Sequence, residues 1–179
     1  MGWTSENVAT DFSVTREEQD AFAAESFQKA ERAQKLGYFD GEIVPFTVFQ
    51  KDPQTGEKRL VVISKDDGIR YGTTKENLAK IRPAFPQWGK STTTGGNASQ
   101  ITDGAAAVLL MTRRKAEELC LTILAKYIIT VVTGVPPRIM GIAPVYAIPK
   151  ALEIAGITVD EVDLFEVGRF LNGWKGIGN

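Results

Sequence analysis

Histidine is absent from this 179-residue chain, and that absence excludes more chemistry than any other feature of it. Within these residues there is no Ser–His–Asp or His–Cys nucleophilic system and no histidine-based zinc site. Cysteine occurs once, as Cys120, so an internal disulfide is excluded and a reduced, intracellular compartment is the simpler expectation. An excess of either charge is also missing. The 21 basic and 22 acidic residues leave a net charge of −1, so no global field draws the chain to nucleic acid or to an anionic membrane. No run approaches the ~18 consecutive apolar residues of a membrane-spanning helix; the best one, Tyr127 to Val132, follows Lys126. The start of the chain, with Glu6 and Asp11, has neither the basic opening nor the apolar stretch of a signal peptide. There is no internal repeat.

What is present is an ordinary globular composition, 43% hydrophobic and 24% charged, in a length suited to one domain or one and a part. Thr4 to Asn7 predicts a short helix. Ser13 or Thr15 caps a longer one, with acids in its first turn, that runs to Leu36 and stops at Gly37. Glu42 to Phe49 and Arg59 to Ser64 read as the strands of a hairpin about the Asp52–Gly56 turn. Lys75 to Ile81 reads as a short helix ended before Pro83, and 83–96 reads as loop. From there the pattern alternates: a buried strand at Ala105–Met111, a helix at Arg113–Leu119, and a central strand at Ile123–Val132. A helix at Val145–Ala155 stopped by Gly156 and a short strand at Leu164–Val167 complete it. That order predicts a mixed α/β layer, with a boundary near residues 89–96.

The segment from Thr94 to Met111 is the most distinctive. Thr94-Gly95-Gly96-Asn97-Ala98-Ser99 is a turn of small polar residues that lets a ligand come close to the backbone, and Ser99 adds a hydroxyl. It leads into Ala105-Ala106-Ala107-Val108-Leu109-Leu110-Met111. On the residues alone it reads as a plain turn before a strand.

Several other stretches are as specific: Met1-Gly2-Trp3-Thr4-Ser5-Glu6-Asn7-Val8-Ala9, Arg16 to Ala23, Glu42-Ile43-Val44-Pro45, Asp66-Asp67-Gly68-Ile69-Arg70 and Leu78 to Phe85. Gly134-Val135-Pro136-Pro137-Arg138-Ile139-Met140-Gly141 and Val162-Asp163-Leu164-Phe165-Glu166 follow in the same order. Together with the 96–111 stretch they make the chain resemble the degradative 3-ketoacyl-CoA thiolases, most closely the peroxisomal type. The resemblance implies a partial thiolase fold of class α/β, a loop domain plus parts of two mixed-sheet core domains. Residues 1–93 correspond to the loop domain, 94–122 to the end of the first core domain and 123–167 to the start of the second. Residues 168–179 read as a tail without a family counterpart. The chain is then an internal fragment, without the segments that carry the family's nucleophilic cysteine, catalytic histidine and second cysteine. Gly168 stands where the family has an asparagine that helps hold a catalytic water.

The family splits a 3-ketoacyl-CoA with free coenzyme A in fatty-acid β-oxidation. Its likeness makes coenzyme A a substrate, with no separate cofactor and no metal, and coenzyme A thioesters the partners. By resemblance the coenzyme A contacts are Arg70 and Asn77 near the adenine and Phe85 along the pantetheine arm. Gly95 and Ser99 line the pantetheine tunnel, and Met140 lies near the acyl pocket. On the residues alone, Arg70 is a solvated turn arginine and Met140 a core filler. No residue is assigned a catalytic role: Cys120, the sole thiol, follows Glu117-Glu118-Leu119 with no base beside it, the reverse of an activating setting. The expected function is a thiolase-family acyltransferase fragment, inactive alone. The alternatives are a non-catalytic coenzyme A-binding or interaction module, and a truncated product with no role. A peroxisomal location follows from the resemblance, with no targeting signal in these residues. Unpaired sheet edges predict a homo-oligomer or aggregation.

Other motifs carry less. Gly89-Lys90-Ser91-Thr92 lacks the upstream glycine of a phosphate-binding loop. Asn97-Ala98-Ser99 fits a glycosylation acceptor without any sign of secretion. Asp160, Glu161 and Asp163 read as a solvated connector, and Arg113-Arg114-Lys115 as a helix start without the aromatics of a nucleic-acid surface.

Overall fold

A computed structural model describes residues 1–165. They fall into two compact units, one of Thr15–Ala98 and one of Met1–Val14 with the described residues from Ser99 onward. The sequence reading places its first boundary at 93/94 instead.

The Thr15–Ala98 unit is built on α2 (Arg16–Lys35). Thr15 opens it with a capping box: its side chain accepts from the Glu18 N–H, and Glu18 Oε2 accepts from the Thr15 N–H at 2.8 Å. Glu17 and Glu18 in the first turn and Arg32 and Lys35 in the last complement the helix dipole. At the far end Gly37 takes φ 72°. There the Tyr38 N–H donates to Ala33 O and the Gly37 N–H to Gln34 O, both at 3.1 Å, a left-handed stop that glycine adopts without strain. Strands β1 (Phe46–Lys51) and β2 (Lys58–Ile63) pair antiparallel, Phe46 opposite Ile63 and Lys51 opposite Lys58. β1 begins after Pro45, not at Glu42, since proline has no N–H to give a ladder. The short helix α3 (Lys75–Ala79) packs on α2, and Ala23, Ala24 and Leu78 form the apolar core between them.

In the other unit α1 spans Gly2–Asp11, longer than the short helix expected. Packing supplies the difference, because α1 lies against the 3₁₀ segment Pro137–Ile142 and buries Val8 and Ala9. Helices α4 (Arg113–Glu118) and α5 (Ala143–Ala155) follow the expected pattern, and Gly156 ends α5 at φ 71°.

Two of the strands expected from 105 onward are corrected by the structure. Neither Ala105–Met111 nor Ile123–Val132 forms a strand, and both are largely exposed, Val108 at 79% and Leu124 at 93%. A strand exists only as a partner in a ladder, and the one sheet among the described residues is the β1–β2 hairpin. Without neighbouring strands, such apolar runs leave their peptide groups to water. Leu164 and Phe165 are not in a strand either; Glu166, Val167 and the 168–179 tail lie outside the described residues.

Candidate functional site

The turn around Gly95 is held by a buried polar cluster on α2. Asn97 is 1% exposed and Thr94 fully buried. The Asn97 side-chain oxygen accepts from the Thr94 N–H at 2.7 Å. Its Nδ2 donates to Thr92 O at 3.1 Å and to Asp20 Oδ1 at 3.0 Å. The Thr94 hydroxyl accepts from the Gly96 and Asn97 N–H groups, and Gln19 Nε2 donates to the Thr92 hydroxyl at 2.8 Å. These bonds satisfy the turn's inner groups and leave Gly95 outside. Gly95 is exposed, and a Cβ built on it meets nothing within 4 Å.

Gly96 is the opposite case. A Cβ there would stand 2.6 Å from Leu78 Cδ2 and from Ile81 Cδ1, so this glycine is what lets the turn close onto α3.

Phe85 joins the same region through the backbone. Pro83 and Thr94 form an isolated antiparallel bridge, and the Ala84 N–H donates to Thr93 O at 2.8 Å. The half-buried Phe85 ring stacks on Trp88, with centroids 4.4 Å apart. Asn77 sits on α3, where its N–H donates to the Thr74 hydroxyl cap, and the residue is exposed.

Arg70 lies on the loop before α3. That loop is tied to α2 by Gln34 Nε2 donating to Asp66 O at 3.1 Å, the Gly72 N–H to Glu31 Oε2 at 2.9 Å, and Gln28 Nε2 to Thr73 O at 3.3 Å. Lys35 stands 5.0 Å over the Tyr71 ring. The hydrogen bond from Lys35, then that from the Gly72 N–H, holds the Glu31 carboxyl below its ordinary range. Arg70 itself donates from NH1 to Asp67 O at 2.7 Å, and its side chain stays 65% exposed.

Four of the six expected contacts, Arg70, Asn77, Phe85 and Gly95, therefore belong to the Thr15–Ala98 unit. Ser99 and Met140 belong to the other. Ser99 is exposed, and its hydroxyl donates to Gln100 O at 3.1 Å. The bend it ends does not run into a strand, contrary to expectation. Met140 is 42% exposed, which removes core filling as its explanation. Its segment is clamped to α1, where Asn7 Nδ2 donates to Arg138 O at 3.1 Å.

Cys120 is exposed and caps α4 in the left-handed conformation, at φ 53°. Its N–H donates to Glu117 O, and the Leu121 N–H to Ala116 O.

Sequence reasoning passed over Arg16, Asp20 and Gln19. Their signals were the i,i+4 spacing of Arg16 and Asp20 on a capped helix and their place in the Arg16–Ala23 stretch.

The family model described as "Thiolase, N-terminal domain" matches residues 1–114. The chain belongs to the thiolase family. The model described as "Thiolase, C-terminal domain" matches 121–171, running past Gly168 to Leu171. Over 169 residues the chain is 56% identical to the peroxisomal 3-ketoacyl-CoA thiolase of Homo sapiens, covering 94% of this chain and 39% of that protein. With the Yarrowia lipolytica peroxisomal enzyme it shares 54% over the same length, 40% of the relative. Among solved structures, the dimeric peroxisomal thiolase of Saccharomyces cerevisiae superposes with a TM-score of 0.84 at 45% identity, covering 97% of this chain and 41% of that one. The acetyl-CoA acetyltransferase of Bacillus anthracis gives 0.86 at 40% identity, over 97% and 42%. The thiolase chain described here thus spans about two-fifths of the length of these relatives.

Proposed function

We propose that these residues carry part of the coenzyme A-binding machinery of a 3-ketoacyl-CoA thiolase and perform no thiolysis by themselves. The observation that carries this reading is the backbone at Gly95, open to solvent on a turn whose other polar groups are locked inward. Such a turn offers peptide groups to a pantetheine amide without having to reorganise. Phe85, whose neighbour Ala84 bonds to Thr93 O, offers an apolar face to the same arm. Arg70 presents an exposed guanidinium, suited to an adenine ring or a phosphate. Ser99 and Met140 belong to the other unit, and a part for them in binding rests on the resemblance alone.

Thiolysis needs a thiolate, a base to make it and donors for the oxyanion. Cys120 serves a helix end, and no histidine is present to serve it. The likeness to peroxisomal relatives supports the peroxisome as the compartment and β-oxidation as the context. The exposed runs 105–111 and 123–132 support self-association.

The test is a thiolysis assay on acetoacetyl-CoA with the purified chain, alongside a melt with and without coenzyme A. No turnover and a saturable upward shift are expected. Turnover free of contaminating enzyme overturns the inactivity. A melt indifferent to coenzyme A favours the reading as a product without a role.

A further inference from the structure

Arg16 and Asn97 meet on one carboxylate. Asp20, 2% exposed at its side chain, accepts from Arg16 Nε on Oδ2 at 2.7 Å and from Asn97 Nδ2 on Oδ1 at 3.0 Å. The guanidinium does not stop there: its NH2 also donates to Leu78 O and Ile81 O, both at 2.9 Å, at the C-terminal end of α3. The Asn97 amide continues to Thr92 O and receives the Thr94 N–H. One buried anion thus ties two separate pieces of backbone, the end of α3, which carries Asn77, and the turn that carries Gly95.

We infer that Asp20 is a positioning residue that couples the α3 end to the 92–97 turn and sets the register between them. It rests on the coenzyme A reading of this face. A carboxylate held from both sides has a fixed rotamer. In a chain of charge-assisted bonds, here buried at Asn97 and part-buried between Arg16 and Asp20, each member strengthens the next. Cutting either arm frees the carboxylate and so weakens the other arm.

Two substitutions read the coupling without removing the buried charge. Arg16→Lys keeps a cation beside Asp20 and loses the fork that spans the two carbonyls. Asn97→Ser removes the amide from the turn. Hydrogen exchange of the ligand-free chain is followed at the Thr94 and Gly96 amides, at the Lys80 and Ile81 amides, and in the β1–β2 hairpin as reference. Coenzyme A is then titrated into each variant. Expected is cross-arm loosening: at least about tenfold faster exchange at Thr94 and Gly96 in Arg16→Lys, and at Lys80 and Ile81 in Asn97→Ser. The hairpin stays unchanged, and Kd for coenzyme A weakens about fivefold or more in both. Loosening confined to the severed arm overturns the coupling, as does equal loosening of the hairpin. Cross-arm loosening with an unchanged Kd overturns the positioning role. Failure of the wild-type chain to bind coenzyme A sinks the reading of the face instead, a distinct outcome because the exchange pattern is measured without ligand.

Discussion

Arg138 reaches across 127 residues of sequence to Asp11, its NH2 donating to Oδ1 at 2.9 Å while NH1 takes the other carboxylate oxygen. This bidentate pair clasps the end of α1 to the segment that bears Met140. The hydrogen bond from Arg138 is the main reason the Asp11 carboxyl is held below its ordinary range. A depressed folded-state pKa contributes stability above the unfolded carboxylate pKa, lost as pH falls through the folded value. The melting difference between wild type and Arg138→Met is therefore expected to be full at neutral pH. It shrinks in acid as Asp11 protonates, and shrinks with added salt because the pair is exposed. A difference constant down to strong acid contradicts this.

Gly96→Ala tests the close approach of the turn to α3. Leu78 belongs to the buried core and cannot withdraw freely. Overpacking of this kind costs about 1–3 kcal/mol, read as a lower urea midpoint with an unchanged slope. Gly95→Ala, with open space at its Cβ, is expected to leave the midpoint unchanged. Equal effects at the two glycines contradict the geometry.

Thr15→Ala removes the cap of α2. Loss of such a side chain costs about 1 kcal/mol, visible in urea unfolding. Thr158 makes the same box with Glu161, but around a single 3₁₀ turn, Val159–Glu161. Thr158→Ala should barely register, because little helix depends on it. A Thr15→Ala variant as stable as wild type overturns the assignment.

These local devices were legible because they are written in adjacent residues: a cap at Ser13 or Thr15 with acids after it, the Gly37 stop, the hairpin about Asp52–Gly56, the Gly156 end of α5. The runs 105–111 and 123–132 misled because apolar composition, β-branched only in the second, describes a strand that has neighbours, and composition does not carry the neighbours with it. The candidate site was half legible. Gly95 stands out as a small residue in a small-residue turn. The Asp20 carboxylate under it lies 77 positions from Asn97, a distance only folding closes.

Cys120→Gly tests whether the sole thiol is anything more than a helix end. Glycine adopts the left-handed conformation without the roughly 1 kcal/mol that a side chain costs there. The variant should be as stable as wild type or slightly more, and bind coenzyme A equally. Loss of coenzyme A binding, or of any acyl transfer, gives the cysteine a chemical role.

A coenzyme A face without the groups for thiolysis is what we propose for this chain, and calorimetric titration with coenzyme A measures it. Saturable binding is predicted for the wild-type chain, weakened about tenfold by Arg70→Ala, whose guanidinium is exposed and is held locally by Asp67, through its carbonyl at 2.7 Å and its carboxylate at 3.9 Å. A flat titration, or binding indifferent to Arg70→Ala, contradicts the account.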